Sequence, residues 1–533
     1  MAGVYRPLFL ENDAAIGKGN LAMKTTAGKI FGKIVNRMTI TGLLILIQLV
    51  WFGVALMALT EYSTWVSLGF SVAAILMALF ITWRDDNPAY KTAWILLICL
   101  LPVLGAAMYA FFGNKRPARW LKWRIDPQEE LHRKDLAPED DLTGLASRRL
   151  LDTVDYIAAK GGFPAWKGTQ SKYYPLGDDA YEDMLQDLRG AQQFIFMEYF
   201  IISRGEMWDS IFEILKEKAA AGLDVRLIYD DIGSMNLLPK GFEKTLRMAG
   251  IKVLSFNTMK PFLSLVYNNR DHRKITVVDG QVAYSGGYNL ADEYINRIER
   301  FGHWKDSGIR LAGHAVWNFT VMFLNMWNAF LPTEEDYSRF RPHAGHPEPF
   351  GGEGIVQPYG DSPLDDEPVG ENVYLEILNQ AEDYVYIFTP YLIIDNEMKT
   401  ALVLAAKRGV DVRIVTPAIP DKKIVFRLTR SYYEPLIKAG VKIYQYTPGF
   451  IHAKSFVSDD RVAVVGTINM DYRSLFLHFE CGTLLSGCQA VLDVKKDCLE
   501  TFAKSREIHH EDCKRGFWGL LYDAVLRMLS PLM

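Results

Sequence analysis

Two long stretches of the chain alternate between short apolar runs and amphipathic segments. The apolar runs are FIFMEYFII (194–202), GLDVRLI (222–228) and AGIKV (249–253) in the first stretch, and YVYIFTPYLII (384–394), GVDVRIV (409–415) and AGVKI (439–443) in the second. Short runs rich in β-branched and aromatic residues predict buried strands. The segments between them, such as MWDSIFEILKEKAAAG and EMKTALVLAAKRG, have the apolar spacing of amphipathic helices. The pattern therefore predicts two similar α/β units, each built on a largely buried sheet.

A different pattern precedes these units. Ile40 to Thr60, Val66 to Trp83 and Ala93 to Phe112 are three nearly charge-free runs. Each is about as long as a helix that crosses a bilayer. They predict two or three transmembrane helices within residues 39–113, because Pro102 and Gly105 would break the third run and the second is short.

Basic residues flank this apolar region on both sides. They are Lys18, Lys24, Lys29, Lys33 and Arg37 before it, and Lys115, Arg116, Arg119, Lys122 and Arg124 after it. The positive-inside rule places both flanks in the cytoplasm, which requires that one of the three segments does not cross. We therefore expect the α/β units at the cytoplasmic face. Residues 1–38 have the composition of a basic interfacial helix, and residues 513–533 that of a C-terminal amphipathic helix.

Composition excludes several other classes of protein. The chain has 533 residues and a formal net charge of -4, which gives no indication of a nucleic-acid partner. The five cysteines are odd in number and have no CxxC spacing, so they predict free thiols rather than a disulfide framework or a metal site.

One short pattern occurs in both α/β units. Residues 272–289 read HRKITVVDGQVAYSGGYN, and residues 452–469 read HAKSFVSDDRVAVVGTIN. The shared polar and glycine positions are His272, Lys274, Asp279, Gly286 and Asn289 in the first copy, and His452, Lys454, Asp459, Gly466 and Asn469 in the second. These five identities at the same spacing in two copies indicate an internal repeat with a common function.

The spacing of the pattern indicates what chemistry it serves. Residues i and i+2 of a strand point to the same face, so each histidine projects beside the lysine of its own copy. The small residues Gly287 and Thr467 after the second strand let backbone approach a ligand closely. Two such units facing each other would surround a phosphate with two lysines, two asparagines and two histidines. That set suits phosphoryl transfer without a metal, because the lysines neutralise the phosphate charge.

The aspartates of the pattern have a different predicted role. Asp279 and Asp459 stand at hairpin turns, where aspartate commonly accepts hydrogen bonds from nearby backbone N–H groups. We expect them to brace the loop rather than to contact substrate, although they belong to the candidate catalytic set by their place in the pattern.

The paired pattern resembles that of the phospholipase D superfamily. Within it, the N-terminal residues Trp94, Leu101-Pro102, Gly105, Tyr109 and Phe112-Gly113, and the stretches NNRDHRKITVVDG, GGYNLADEY, FGHWKDSGIRL and PGFIHAK, are similar to bacterial cardiolipin synthases. The resemblance implies two tandem phospholipase D-type α/β/α repeats packed as a pseudo-twofold bilobal unit after N-terminal transmembrane helices. The expected organisation is a basic segment (1–38), a transmembrane region (39–113), a linker and start of the catalytic region (114–170), a first catalytic domain (171–330), a Pro/Gly-rich linker (331–354), a second catalytic domain (355–512) and a C-terminal helix (513–533).

The resemblance also implies an activity. The family transfers a phosphatidyl group between two phosphatidylglycerol molecules, giving cardiolipin and glycerol, at a bacterial inner membrane and without a cofactor. One histidine attacks, and family precedent favours His272, while His452 acts as acid and base. Each imidazole needs an orienting carboxylate. In the family these lie some thirty residues after each histidine, which indicates Asp306 and Glu480. Asn289, Asn469, Gly287 and Thr467 are the expected phosphate-binding positions.

Two other functions remain open at this point. A phospholipase D or another phosphatidyltransferase would differ only in the acceptor that enters the site. A catalytically inactive membrane scaffold is disfavoured because both copies of the pattern are intact, and a nuclease is disfavoured by the apolar N-terminal runs.

Overall fold

A computed structural model of the chain describes residues 64–113, 119–136, 141–258, 269–331, 335–341 and 351–532, together with a few positions between 46 and 58. The predicted basic segment 1–38, most of the first apolar run and part of the predicted linker 331–354 lie outside these residues.

The first α/β unit contains a mixed sheet. Among the described residues it has seven strands: β1 (Thr169–Tyr174), β2 (Phe194–Tyr199), β3 (Asp224–Asp230), β4 (Lys252–Phe256), β6 (Lys274–Val278), β7 (Val282–Gly286) and β9 (Gly308–Gly313). Two shorter strands, β5 (Arg270–Asp271) and β8 (His303–Lys305), lie outside this sheet. The strand order is β1-β9-β7-β6-β2-β3-β4, in which β2, β3 and β4 are parallel and the other neighbours are antiparallel.

The second unit repeats this order. Its strands are β10 (Ile355–Asp361), β11 (Tyr384–Phe388), β12 (Leu392–Ile393), β13 (Asp411–Pro417), β14 (Lys442–Tyr446), β15 (Gly449–Ile451), β16 (Ser455–Ser458), β17 (Val462–Gly466), β18 (Met470–Asp471), β19 (His478–Ser486) and β20 (Ser505–Ile508). The main sheet runs β10-β19-β17-β16-β11-β13-β14-β20, so its first seven strands match those of the first sheet one for one. The two predicted α/β repeats are therefore confirmed, whereas the exact domain limits stay a prediction.

Seventeen α-helices are described within residues 64–532, and many of them cover the two sheets. They are α1 (Thr64–Trp83), α2 (Pro88–Leu100), α3 (Pro102–Phe112), α4 (Arg119–His132), α5 (Arg148–Tyr156), α6 (Gly177–Gly190), α7 (Glu206–Ala220), α8 (Asp231–Ser234), α9 (Phe242–Met248), α10 (Val316–Phe330), α11 (Val369–Gln380), α12 (Asn396–Lys407), α13 (Lys423–Ser431), α14 (Tyr433–Lys438), α15 (Tyr472–Phe476), α16 (Gln489–Ala503) and α17 (Phe517–Leu529).

One shared apolar core holds the two units together, and each unit has a further core of its own. Phe196 and Val277 of the first sheet share one core with Val457 and Val465 of the second, and helix α10 is buried in the same core. The opposite faces of the sheets pack under their own helices, in two separate cores. Since a strand presents alternate residues to its two faces, a sheet covered on both sides needs the continuous apolar runs seen in the sequence.

The N-terminal helices agree only in part with what the sequence predicts. The third apolar run divides at Leu101 into α2 and α3, as expected from Pro102, which cannot continue the hydrogen bonds of a preceding helix. Tyr90, Trp94 and Tyr109 pack together in a small core beside these helices. In the part of the chain that the structure describes, none of the helices is both long enough and apolar enough to cross a membrane.

Candidate active site

A short parallel ladder joins the first repeat to the second beside His272. Strand β5 ends at Asp271 and pairs with the start of β19, where Arg270 lies opposite His478 and Asp271 opposite Phe479. The backbone N–H of His272 continues the ladder by donating to the carbonyl of Phe479 at 2.9 Å. The next residue on β19 is Glu480, and both of its carboxylate oxygens lie 2.9 Å from Nδ1 of His272.

A second parallel ladder joins the second repeat to the first beside His452. Strand β15 precedes His452 and pairs in parallel with β8 of the first repeat, which precedes Asp306. The N–H of His452 donates to the carbonyl of Lys305 at 2.7 Å. Nδ1 of His452 then lies 2.7 Å from Oδ2 of Asp306.

The two histidine–carboxylate pairs therefore cross between the repeats. Spacing along the chain suggests that Asp306 serves His272 and that Glu480 serves His452, each within its own repeat. That pairing is wrong, because the two ladders place each histidine opposite the carboxylate of the other repeat. Both carboxylates are fully buried, so each requires a partner of this kind.

The two lysines lie beside the histidines, as expected from the strand period. The ammonium of Lys274 donates to the carbonyl of His272 at 2.6 Å. The ammonium of Lys454 contacts the carbonyl of His452 and lies 2.8 Å from its Nδ1. Burial lowers the pKa of Lys274 to about 8 and that of Lys454 to about 7. A bound phosphate would favour the charged form of both, because an anion stabilises a nearby cation.

Burial also keeps the two histidines neutral. The pKa of His452 falls to about 4, mainly through burial and then through Lys454, with Asp306 opposing the decrease. The pKa of His272 falls well below its usual value because of burial and the positive charges of Lys274 and Lys454. Lys454 belongs to the other repeat, so the two halves contribute to one electrostatic environment.

Gly287 and Thr467 occupy equivalent positions beside the two carboxylates. A Cβ atom at Gly287 would collide with Oδ1 of Asp306, so this position must be glycine for the carboxylate to fit. The hydroxyl of Thr467 donates to Oε2 of Glu480. The expected phosphate-binding role of these two positions therefore stays a prediction.

The two asparagines differ in how fully they are hydrogen-bonded. Oδ1 of Asn289 accepts from the N–H of Ile201 at 3.0 Å, and its Nδ2 donates to the hydroxyl of Tyr294 at 2.8 Å. Oδ1 of Asn469 is buried and has no hydrogen-bond partner among the described residues. Asn469 is thus the more available of the two for a ligand.

Asp279 and Asp459 lie away from the histidines, at the far ends of strands β6 and β16. Both have positive φ angles, 52° and 53° respectively. The carboxylate of Asp279 accepts hydrogen bonds from the N–H groups of Gln192, Gln193 and Phe194 at 2.7, 2.7 and 2.9 Å. Asp459 does the same for three consecutive N–H groups of its own repeat, those of Glu382, Asp383 and Tyr384. This is a bracing geometry, and the structure does not bring either aspartate to the candidate site.

Two aromatic residues at the site were not expected from the sequence. Trp304 and His478 each stand two positions before a carboxylate, and aligning the repeats on Asp306 and Glu480 would have identified both. Nε1 of Trp304 donates to Oδ2 of Asp306 at 3.4 Å. Nδ1 of His478 lies 3.8 Å from Oε1 of Glu480.

The cluster of His272, His478 and Glu480 also departs from the sequence analysis, in which no group with metal-ligand spacing was expected. One ligand atom from each lies within 4.8 Å of the others. Spacing along the chain could not show this group, since His272 is 208 residues before Glu480.

The arrangement is suited to nucleophilic chemistry at a phosphate. A histidine that donates from Nδ1 to a carboxylate has a free electron pair at Nε2, which is the form that attacks or removes a proton. The site has two such histidines and two lysines that can balance the charge of a phosphodiester.

Comparisons with known proteins agree with this description. Residues 184–300 and 374–501 match the family described as cardiolipin synthase, PLD-like domain, and residues 71–114 match a phospholipase D-nuclease N-terminal family. Cardiolipin synthase 1 of Bacillus cereus is 33% identical over 483 residues, which cover 88% of this chain and 94% of that protein. A cardiolipin synthase of Geobacillus sp. is 34% identical over 475 residues, with 87% and 93% coverage.

An uncharacterised protein of Streptococcus mutans is 45% identical over 445 residues, which cover 83% of this chain and 96% of that protein. The crystal structure of phosphatidylserine synthase from Haemophilus influenzae has the same fold, with a TM-score of 0.51 at 14% identity over 69% of this chain and 96% of that one. Together with the paired sites, the full-length matches show that the chain belongs to the cardiolipin synthase family of the phospholipase D superfamily.

Proposed function

We propose that the protein is a cardiolipin synthase, which transfers a phosphatidyl group from one phosphatidylglycerol to the terminal hydroxyl of another and releases glycerol. The observation that carries this proposal is the pair of crossed histidine–carboxylate contacts, His272 with Glu480 and His452 with Asp306, in a chain that matches cardiolipin synthases over most of its length.

The first half of the reaction uses both histidines. Nε2 of His272 attacks phosphorus, and the bond from phosphorus to the glycerol oxygen breaks. His452, protonated at Nε2, gives its proton to that oxygen, so that glycerol leaves as a neutral alcohol. The phosphatidyl group is then attached to His272, and Glu480 stabilises the positive charge on the imidazole.

The second half reverses these roles. His452 removes the proton from the terminal hydroxyl of a second phosphatidylglycerol, whose oxygen attacks phosphorus. The phosphorus–nitrogen bond breaks, and His272 returns to its neutral state. Lys274 and Lys454 remain beside the phosphate throughout and stabilise the charge that develops on its oxygens.

The difference between the two pKa values favours this division of labour. Burial and the charges of Lys274 and Lys454 lower the pKa of both histidines, but at His452 the carboxylate of Asp306 opposes this decrease, whereas the pKa of His272 falls well below its usual value. His452 is therefore the easier of the two to protonate once an anionic phosphate is bound, and His272 is better kept as the neutral nucleophile.

We also infer that the enzyme is held at the bacterial inner membrane by helices within residues 39–113, with its catalytic repeats at the cytoplasmic face. Leu76, Leu79 and Trp83 of α1 are 61%, 62% and 81% exposed, and Phe517 and Trp518 of α17 are 72% and 77% exposed. Large apolar side chains exposed in this way suit contact with lipid. The substrates, phosphatidylglycerol and cardiolipin, reside in the same membrane.

Product analysis tests the proposal. Purified full-length protein is incubated with labelled phosphatidylglycerol, and the lipids are separated by thin-layer chromatography. We expect labelled cardiolipin and free glycerol, and we expect added glycerol to reduce net cardiolipin formation because it reverses the first half-reaction. Phosphatidic acid as the main product would indicate a phospholipase D, and a lipid that forms only with another added alcohol would indicate a different phosphatidyltransferase.

A further inference from the structure

The two crossed pairs are not equivalent in their surroundings. Strand β8 places Trp304 two residues before Asp306, and strand β19 places His478 two residues before Glu480. In the two ladders Trp304 lies opposite Phe450 and His478 lies opposite Arg270, which are themselves two residues before the histidines. An indole therefore stands in one half where an imidazole stands in the other.

The imidazole of His478 is nearly enclosed, with 10% of its side chain exposed. Its two ring nitrogens are buried and make no hydrogen bond to any residue that the structure describes. Its ring centroid lies 5.5 Å from that of His272. Buried polar groups are nearly always satisfied, so an imidazole that lies 3.8 Å from a carboxylate and makes no hydrogen bond within the described residues indicates a ligand that the chain itself does not supply.

The chemistry of this group fits a transition-metal ion. Ligand atoms of His272, His478 and Glu480 lie within 4.8 Å of one another. Two imidazoles and one carboxylate form a familiar three-ligand set for Zn²⁺, with the fourth position left open. The other half of the site cannot bind an ion in this way, because the indole of Trp304 has no lone pair to offer.

We propose that His272, His478 and Glu480 form an inhibitory binding site for Zn²⁺. The ion would bind where Nδ1 of His272 now contacts Glu480, and so would take both the nucleophile and its orienting carboxylate out of use. It would also withdraw electron density from the imidazole that attacks phosphorus. Lys274 and Lys454 repel a cation, which makes this site weaker than a structural zinc centre and the inhibition reversible. Binding itself does not depend on the proposed function, whereas the inhibition rests on it.

Binding is tested without lipid. Full-length protein in detergent is stripped with EDTA and then dialysed against Zn²⁺, and the bound metal is measured. We expect one ion per chain in the wild type and in His452→Ala, which changes only the half with Trp304. His478→Asn should lose the ion or weaken its binding at least about tenfold, since even indirect changes at a metal site have effects of this size. The matched control is His303→Asn, which changes an exposed histidine on strand β8 in the other half of the site and should bind as the wild type does.

Inhibition is tested on the same preparations. Cardiolipin formation by the wild type should fall with added Zn²⁺ and recover with EDTA, whereas the rate of His478→Asn, whatever its value without metal, should not change with added Zn²⁺. Thermal melting checks that His478→Asn is folded, and His478→Gln is a second variant if it is not. Wild-type protein that binds no Zn²⁺, or a folded His478→Asn that binds it as tightly as the wild type, would overturn the site. Bound Zn²⁺ without inhibition would overturn the inhibitory role. A wild type that binds Zn²⁺ but forms no cardiolipin after stripping would contradict the proposed function and not the site.

Discussion

The carboxylate of Glu480 lies 2.9 Å from Nδ1 of His272, although the two residues are 208 positions apart and belong to different repeats. The reciprocal contact joins Asp306 to His452 at 2.7 Å. Each repeat thus supplies a histidine to one pair and a carboxylate to the other. Neither repeat contains a complete pair, so the fold makes the catalytic unit depend on both halves.

Removing one carboxylate should affect the histidine of the other repeat. In Glu480→Gln the imidazole of His272 loses its charged partner, and transfer should fall by about a hundredfold or more, as in other sites where a histidine loses its orienting carboxylate. Because His272 is the proposed nucleophile, formation of the covalent intermediate should slow. Asp306→Asn should instead slow the step that depends on His452, the resolution of that intermediate.

Rapid quenching with a labelled lipid that has a good leaving group separates these two steps. The crossed assignment would be contradicted if Glu480→Gln slowed only resolution and Asp306→Asn slowed only formation.

A single shared site makes a second prediction. His272→Ala and His452→Ala should each reduce transfer by at least about a thousandfold, because residues that act as a unit lose nearly all their effect when one is removed. Cardiolipin formation by each purified variant is the measurement. If either variant kept activity within about tenfold of the wild type, the two repeats would act independently.

The fold was largely predictable from the sequence, because its cause is local. Runs such as FIFMEYFII and YVYIFTPYLII are apolar at every position since both faces of their sheets are covered, and the repeated pattern shows that one architecture occurs twice. The positions of the two lysines were equally predictable, since strand period alone places Lys274 and Lys454 beside their histidines. The turn position of Asp279 suggested a bracing role, but the N–H groups that its carboxylate accepts from lie 85 to 87 residues earlier in the chain, which turn geometry alone does not indicate.

The crossed pairing was not predictable in the same way. It depends on β5 pairing with β19 and β15 with β8, which are contacts between short strands far apart in the chain. A two- or three-residue strand has too little sequence to reveal its partner. The cluster of His272, His478 and Glu480 was missed for the same reason, since spacing along the chain contains no trace of it.

The lysine pKa values predict how activity depends on pH. Burial lowers the pKa of Lys454 to about 7 and that of Lys274 to about 8. Both must be charged to hold an anionic phosphodiester, and a lysine is charged below its pKa. We therefore expect kcat/KM, which reports the free enzyme, to decline as pH rises through about 7 to 8.

Lys454→Arg tests the cause of this decline. A guanidinium remains charged throughout this range. The variant should be slower than the wild type, but its kcat/KM should begin to decline only at a higher pH. No loss from imidazole protonation is expected near the usual histidine range, because the pKa of His272 lies well below it. A wild-type profile that stays flat across the alkaline range would show that lysine charge does not limit the reaction.

The bracing geometry of Asp279 predicts a stability effect without a direct chemical one. Asp279→Ala leaves three backbone N–H groups without their acceptor, which should lower the free energy of unfolding by about 2 kcal/mol or more. Thermal melting and the activity of the folded fraction at low temperature are the measurements. Asp279→Asn keeps one acceptor oxygen and tolerates the positive φ, so its free energy of unfolding should lie between those of the wild type and Asp279→Ala. Abolished activity in a fully stable Asp279→Ala would place this carboxylate in the chemistry.

We expect His272, rather than His452, to carry the phosphatidyl group. Within the described part of the chain, Nδ1 of His272 is hydrogen-bonded to the two oxygens of Glu480 alone, which leaves Nε2 with its electron pair for attack. Nδ1 of His452 lies 2.7 Å from Oδ2 of Asp306, which raises the pKa of this imidazole against the effect of burial, as suits a group that gives and takes protons. We therefore expect a lipid with a good leaving group to label His272. The adduct should accumulate in His452→Ala, where resolution is slow, and should be absent from His272→Ala.

Peptide mapping of the quenched protein identifies the labelled residue. A phosphorus–nitrogen bond to imidazole is labile in acid and stable in base, so the label should be lost from the peptide that contains His272 when the sample is acidified. Label on the peptide with His452 in the wild type would reverse the two roles and leave the shared site intact. Label on neither peptide, with cardiolipin still formed, would mean that the acceptor attacks the lipid directly, and the crossed carboxylates would then serve a base and an acid rather than a nucleophile and an acid.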